Sequence, residues 1–378
     1  MKKLLAAWLA CLAFSASAQL PSITPPPIAA RAWILVDALS GQTLAASAAD
    51  DRFEPASLTK LMTAYVAFDA LRDGEIAEDK MVTPSQAAAK AGGSRMFLEA
   101  GKPVAVRDLL RGLVVDSAND AAIALAEAVA GSEKAFVARM NREAARLGLE
   151  DTHFANASGA PIPGHYACAR DLATLTLALM RDFPDRYALY AEKEFTYHGI
   201  RQANPNRLLW ADSAIDGAQA GWTEAAGYGI VASAKRGARR LVAVVLGAQS
   251  EGLRTAETQK LLKFGYQAYE TRRVYAKGKP VAEPAIYKGT RSRVPIGFLH
   301  DVWLTLPRGR FEGIEAVLDT RQPFVAPLAA GEKAGIMKLM RDGAPVAQFP
   351  VVALEDVPVA GFLSRGWDTL RLMVHPTP

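Results

Sequence analysis

The chain runs to 378 residues, half of them apolar, with 44 basic and 39 acidic side chains. That is enough to bury a sizeable core over about two domains of ~100–200 residues each, and it excludes a disordered or fibrous chain. A formal charge of +5, with no long basic run interleaved with aromatics, excludes a nucleic-acid groove as the function.

In chain order, Met1-Lys2-Lys3, the apolar run Leu4 to Phe14 and Ala16-Ser17-Ala18 form the charged start, short greasy middle and small-residue cleavage site of a secretory signal over 1–18, with Gln19 as the mature start. The apolar run of eleven residues falls short of the ~20 that span a bilayer. Cys11 belongs to this signal, and Trp8-Leu9-Ala10 before it is a poor lipoprotein box. Cys168 is then left without a disulfide partner, so the fold must rest on its core. Without Lys2 and Lys3 the balance is 42 basic against 39 acidic residues.

Past a Pro-rich leader, Arg31 to Asp37 is β-rich, Ser40-Gly41 reads as a turn and Thr43 to Ala46 as the returning strand of a hairpin. Pro55 ends the extended segment. Leu61, Tyr65, Phe68 and Leu71 then recur at helical spacing, which predicts an amphipathic helix over 58–71 with Ser57 at its start. Ser132 precedes another helix, with Phe136, Met140 and Leu147 on one stripe and Gly148 as its stop, and the stretch 107–181 reads as helical pieces broken by Gly and Pro. Tyr228 to Ala234 and Leu241 to Leu246 read as antiparallel strands flanking a basic turn over 235–240, followed by a helix over 253–272.

From Val274 the texture changes to short β-rich runs such as Val302 to Leu306 and Phe349 to Ala353. This divides a larger domain, 19–274, from a small β-rich domain, 275–357. In the final segment, 358–378, Phe362, Leu363, Trp367, Leu370, Met373 and Val374 gather on one side of a helix, with Ser364, Arg365, Asp368 and Arg371 opposite. Such a helix can lie in a membrane interface or dock on the β-domain.

Two short motifs carry chemistry. In Ser57-Leu-Thr-Lys60, positions three apart at a helix start lie on one face, so the amine comes close to the hydroxyl; a lysine made neutral by desolvation can take the serine proton. In Ser117-Ala-Asn119, the hydroxyl can pass a proton between Lys60 and a leaving group, while the Asn119 amide can hold Lys60 and a substrate carbonyl together. Each motif also has a plainer reading: a helix cap with a solvated lysine, and an N-cap before Ala121 to Ala126. His153, His165, His198, His300 and His375 lack metal-ligand spacing and read as structural, and no Gly-rich phosphate loop follows a strand. Neither a metal nor a cofactor is expected.

These motifs belong to an ordered series: Pro55-Ala-Ser57-Leu-Thr-Lys60, Asp116-Ser117-Ala-Asn119-Asp-Ala121, Thr152-His-Phe154 with Ser158-Gly159, Ala169-Arg170-Asp171, Gly199-Ile-Arg-Gln202, Leu208-Leu-Trp210 and Leu306-Pro-Arg-Gly-Arg310. From about Ala30 to the end, the sequence resembles the low-molecular-mass penicillin-binding proteins, the D-alanyl-D-alanine carboxypeptidases of the penicillin-binding protein 5 type. The resemblance implies an α+β fold: a β-lactamase-like catalytic domain with an antiparallel sheet flanked by helices, a small β-sandwich domain and a C-terminal amphipathic membrane helix. It implies a serine carboxypeptidase. Ser57 attacks the carbonyl between the two terminal D-alanines of a peptidoglycan stem pentapeptide, D-alanine leaves, and water hydrolyses the acyl-enzyme. Lys60 and Ser117 complete the catalytic set, and β-lactam antibiotics acylate the same serine. Asn119, Gln219, Gly221, Trp222 and Arg254 fall at substrate-binding positions, with the main-chain N–H groups of Ser57 and Trp222 as the oxyanion hole. The implied location is periplasmic, on the outer face of the cytoplasmic membrane, attached to the membrane surface through the tail.

The sequence departs from the family at Gln219-Ala220-Gly221, where the family carries Lys-Thr-Gly. In the family that lysine helps orient the serine matched by Ser117 and binds the substrate's terminal carboxylate, which the threonine hydroxyl also binds. Losing a charge-assisted hydrogen bond of roughly 1.5–3 kcal/mol costs on the order of ten- to more than a hundredfold in rate. Arg254 can hold the carboxylate instead, or face solvent as a helix-start arginine. Three readings stand at this point: a working carboxypeptidase, a catalytically impaired homologue acting as a wall-associated scaffold, and a serine β-lactamase or related D,D-endopeptidase. The lactamase is disfavoured because no deacylating glutamate can be identified.

Overall fold

The computed structural model describes residues 23–320, 322–362 and 365–369. The expected signal lies outside these residues, as do Leu363, Ser364, Leu370, Arg371, Met373 and Val374 of the tail. The chain forms two compact units, Ile23–Thr271 and a second from Arg272 onward.

The first unit is built on a five-stranded antiparallel sheet. β1 (Ala32–Asp37) and β2 (Thr43–Ser47) form the expected hairpin. β3 (Ile215–Thr223), β4 (Gly227–Arg236) and β5 (Arg239–Ala248) complete the sheet in the order β2-β1-β5-β4-β3, so β3 is an edge strand. Both faces of the central strands are covered, which is why they read as continuous apolar runs. Ile34, Val231, Val242 and Val244 face one core, and Leu35, Ile230, Leu241 and Val245 the other. The expected basic turn over 235–240 is mostly strand. Lys235 pairs with Arg240 and Arg236 with Arg239, leaving a two-residue loop with Gly237 at φ 61°. The charges are tolerated because Arg236, Arg239 and Arg240 meet Asp212, Asp37 and Asp216.

The larger core lies under the helices α1 (Lys60–Arg72), α2 (Val106–Val114), α3 (Asn119–Ala130), α4 (Glu133–Arg146) and α5 (Ala169–Asp182). α1 is not the amphipathic helix expected, since every residue from Lys60 to Ala70 is buried. Its alanines at 64, 67 and 70 let neighbouring elements close over what would otherwise be an exposed face. The stretch 107–181 is mostly helical in separate pieces, as expected, and the irregular stretch from Leu147 to Cys168 within it accepts hydrogen bonds from Lys60 and Thr63 of α1. On the other face of the sheet lies α6 (Glu251–Ala268), capped by Ser250. The helix expected to reach Arg272 stops at Ala268, where Tyr269–Tyr275 turns to strand, as its aromatic and β-branched residues favour.

The second unit holds a five-stranded antiparallel sheet, in which β6 (Pro280–Ala282), β7 (Ile296–Gly297), β8 (Glu315–Thr320), β9 (Lys333–Arg341) and β10 (Ala344–Ala353) lie in the order β6-β7-β10-β9-β8. Its core includes Ile286, Leu304, Phe324, Met337 and Val351. Ala360 and Asp368 both bond to Lys288 of this unit. Ala360 N donates to Lys288 O, and the carboxylate of Asp368, within the helical stretch 365–369, accepts the Lys288 N–H at 2.6 Å. Phe362 and Trp367 remain exposed, at 81% and 62%.

Candidate active site

Ser57 does not begin an α-helix. It sits in a 3-10 turn, Ala56–Thr59, that runs into α1 at Lys60. Three residues per turn stacks positions 57 and 60 more directly than an α-helix would, and Lys60 Nζ lies 2.9 Å from Ser57 Oγ. The turn is held under strain by Ala56 at φ 50°, a left-handed conformation costing a non-glycine residue roughly 1–2 kcal/mol. Ser158-Gly159 packs against it. Lys60 Nζ donates to Ser158 O at 2.7 Å, and a Cβ on Gly159 would come within 1.8 Å of Ala56 O. Lys60 is 1% exposed, and burial pushes its amine down to about 7, with the Asp120 carboxylate working in the opposite sense. A neutral Lys60 can donate one N–H to the Ser158 carbonyl and turn its lone pair to the Ser57 hydroxyl.

Ser117, at φ 56°, precedes α3 with its hydroxyl turned into the cleft. The expected cap is absent: Ala118 is the N-cap and supplies no side-chain bond. Asn119 also departs from expectation. Its N–H and its amide Nδ2 both go to the facing loop, on Ser94 O and Gly92 O, each at 2.7 Å, so the amide binds this loop and not Lys60. Its Oδ1 is buried with no hydrogen-bond partner. Asp120, in the first turn of α3, accepts the Met96 and Leu98 N–H groups and fixes the same loop.

The opposite wall is β3. Its alternation sends Gln219, Gly221 and Thr223 toward the Ser57 turn, where Thr223 Oγ1 donates to Glu54, and sends Ala220 into the second core. Gln219 is 1% exposed and its Nε2 donates to Ser117 Oγ at 2.7 Å. The donor expected to meet substrate is thus spent on Ser117, while Gln219 Oε1 has no partner. Gly221 permits the close approach of the strand, since a Cβ there would sit 3.0 Å from the Ser57 nitrogen. Trp222 stands half-exposed on the rim, its ring 5.9 Å from Tyr228.

Arg254 is not the solvent-facing residue its position in the first turn of α6 would allow. It is 4% exposed, with its guanidinium 5.7 Å from the Tyr228 ring centroid, and burial lowers its pKa. Its contacts to Gly221 O, Gly229 O, Pro205 O and Glu251 are long, from 3.2 to 3.5 Å, and its Nε has no partner.

Ser57, Ser117, Asn119, Gly221, Trp222 and Arg254 line one cleft of about 710 Å³. The arrangement can activate a serine through a buried amine, hold a second hydroxyl of the same cleft through Gln219, and offer a buried guanidinium to an anionic group. Sequence reasoning missed the Ser158 carbonyl as a partner of Lys60. The Ser158-Gly159 pair was visible, but a main-chain acceptor leaves no side-chain signature. Among the described residues, no group of His, Cys, Asp and Glu could hold a metal ion. None of their helices is long and apolar enough to cross a membrane.

Residues 19–250 match the family described as D-alanyl-D-alanine carboxypeptidase, and residues 269–359 match the penicillin-binding protein 5 C-terminal domain. The chain is 40% identical over 377 residues to the D-alanyl-D-alanine carboxypeptidase DacC of Escherichia coli, covering 98% of this chain and 94% of that relative. Its structure is similar to that of penicillin-binding protein 5 from Haemophilus influenzae, with a TM-score of 0.85 and 38% identity over 89% of this chain and 99% of the other. A penicillin-binding protein from Listeria monocytogenes, solved in its ampicillin-bound form, aligns with a TM-score of 0.57 and 28% identity over 65% of this chain and all of that one. With its serine-lysine cleft beside an antiparallel sheet and a β-rich domain following, the chain belongs to the D-alanyl-D-alanine carboxypeptidases of the penicillin-binding protein 5 type.

Proposed function

We propose that this protein removes the terminal D-alanine from peptidoglycan stem pentapeptides through an acyl-enzyme on Ser57. The observation that carries the reading is a buried Lys60 amine 2.9 Å from Ser57 Oγ, opening on a cleft where Ser117 is also held in place. Lys60 takes the Ser57 proton, and Ser57 Oγ attacks the carbonyl between the two D-alanines. The oxyanion meets the main-chain N–H groups of Ser57 and Trp222. Ser117 relays the proton to the departing D-alanine, and water then releases the shortened peptide. Asn119 and Gly221 border the peptide, and Arg254 draws its terminal carboxylate. β-Lactams acylate the same serine. The scaffold reading loses its motive, because Gln219 gives Ser117 the hydrogen bond that the family's lysine would otherwise give.

Gel labelling with a fluorescent penicillin, together with D-alanine release from a pentapeptide, tests this. The wild type is expected to label and turn over, and Ser57→Ala to do neither. Absence of both signals in the wild type would sink the enzyme reading.

For the location, residues 1–18 act as a cleaved secretory signal, 19–274 as the catalytic domain and 275–357 as the small β-domain. Residues 358–378 act as an amphipathic anchor on the outer face of the cytoplasmic membrane. The exposed Phe362 and Trp367 support the anchor. Deleting Phe362 to Pro378 should move the protein to the soluble fraction on cell fractionation; retention with membranes would remove the tail from this role.

A further inference from the structure

His165 has no place in the chemistry above, yet both nitrogens of its buried ring are engaged. Nδ1 accepts the Ala155 N–H at 3.2 Å, so the ring proton belongs on Nε2, which donates to Thr59 Oγ1 at 2.8 Å. The residue is 5% exposed, with the edge of Phe154 against it.

The two partners of this imidazole lie on the two pieces of chain that hold Lys60. Thr59 directly precedes the lysine in the strained turn. Ala155 and His165 bracket the loop whose Ser158 carbonyl accepts from Lys60 Nζ at 2.7 Å. Thr63 Oγ1, one helical turn beyond Thr59, donates to Ala157 O of the same loop at 2.6 Å. The loop therefore meets the nucleophile turn through one hydrogen bond to the base itself and one on each flank, and His165 supplies the flanking bond closer to Ser57 in sequence.

We propose that His165 is a positioning residue for the Lys60 base, fastening the 155–165 loop to the Ser57 turn so that the amine stays shielded from water and aimed at the Ser57 hydroxyl. This rests on the reading of Lys60 as the base.

The consequence is electrostatic. Lys60 faces the Ser57 hydroxyl and the Ser158 carbonyl, with the Asp120 carboxylate acting on it and favouring its charged form, so it is exclusion of water that brings the amine down to about 7 and leaves a large share of it neutral at pH 7. Burial, aided by the nearby His153, holds the His165 ring down at about 4, so the tie stays in its single tautomer at neutral pH. Loosening the loop admits water, and the Lys60 amine then titrates closer to its ordinary value of 10.5.

The experiment measures the rate of Ser57 acylation by a fluorescent penicillin against pH in the full chain. The wild type is compared with His165→Leu, His165→Gln and Thr59→Val. Leucine removes both hydrogen bonds, and the acid limb is expected to move up by about one pH unit or more, a tenfold loss at fixed pH below it. Glutamine offers a carbonyl to Ala155 and an N–H to Thr59, and is expected to bring the midpoint back. Thr59→Val cuts the bond at its other end and is expected to move the midpoint as leucine does; should the leucine variant fail to fold, this variant decides. Variants that label fewer molecules at an unchanged midpoint would make His165 a packing residue and overturn the proposal. So would a glutamine variant that behaves like leucine. A wild type that does not label at Ser57 defeats the acyl-enzyme reading itself, which is a separate result.

Discussion

The helical wall of the cleft and the strand wall, with α6 behind it, hold their basic side chains by different means. Lys60 is 1% exposed and sits on two hydrogen bonds of 2.7 and 2.9 Å, both from its own neighbourhood of turn and loop. Arg254 is nearly as buried, but its bonds run from 3.2 to 3.5 Å and its Nε has none. A buried charge left short of partners is costly, so the strand wall keeps in reserve an attraction for anions that the helical wall has already spent internally. Gln219 belongs to the strand wall yet serves the helical one through Ser117. Of the two tasks the family assigns to one lysine, orienting the serine falls here to a neutral amide, and attracting the carboxylate falls, in the proposed function, to the Arg254 guanidinium.

The largest expected effect is on the helical wall. Lys60→Met should slow Ser57 acylation by about a thousandfold, within the ~100–10,000-fold typical of a general base. The same variant should be more stable than the wild type at pH 7 by about 2 kcal/mol, because it no longer has to bury an amine. The sign follows from linkage. The folded-state value falls from 10.5 to about 7, so across that window the unfolded chain binds more protons and wild-type stability rises with pH. Thermal unfolding at pH 7 and at pH 9.5 should show the advantage of the methionine variant shrinking. A variant less stable than the wild type at pH 7 would mean the amine is not strained by its burial.

A smaller effect is expected on the strand wall. Gln219→Leu leaves the Ser117 hydroxyl without its buried donor, a loss of about 1–3 kcal/mol, or roughly ten- to a hundredfold in acylation rate. Gln219→Lys combined with Ala220→Thr restores both family side chains and should raise pentapeptide turnover by about tenfold. An unchanged rate would show that Arg254 and its neighbours already supply what those side chains would add.

Much of this was legible in the chain because it is local. The hairpin of β1 and β2 has a turn signal between two apolar runs, and Ser57 with Lys60 is a spacing that any helical turn brings together. The Asn119 amide is expected from the sequence to hold Lys60, but its place in the first turn of α3 sends Nδ2 to Gly92 O while the residue still lines the cleft. The sequence leaves Arg254 open between the carboxylate pocket and solvent, because it shows the helix start and not the strand packed across it.

The sequence by itself determined the order of the motifs, the division of the chain by texture, and the residue types able to do acyl transfer. These depend on spacing within a few residues or on composition, and neither needs a fold to be read. Only the tertiary structure decided that α1 is buried all round, that a main-chain carbonyl from Ser158 completes the setting of Lys60, and that Gln219 reaches Ser117 from 102 positions away. Those outcomes turn on desolvation and on hydrogen bonds between distant segments, which exist only once the helices have closed over the sheet.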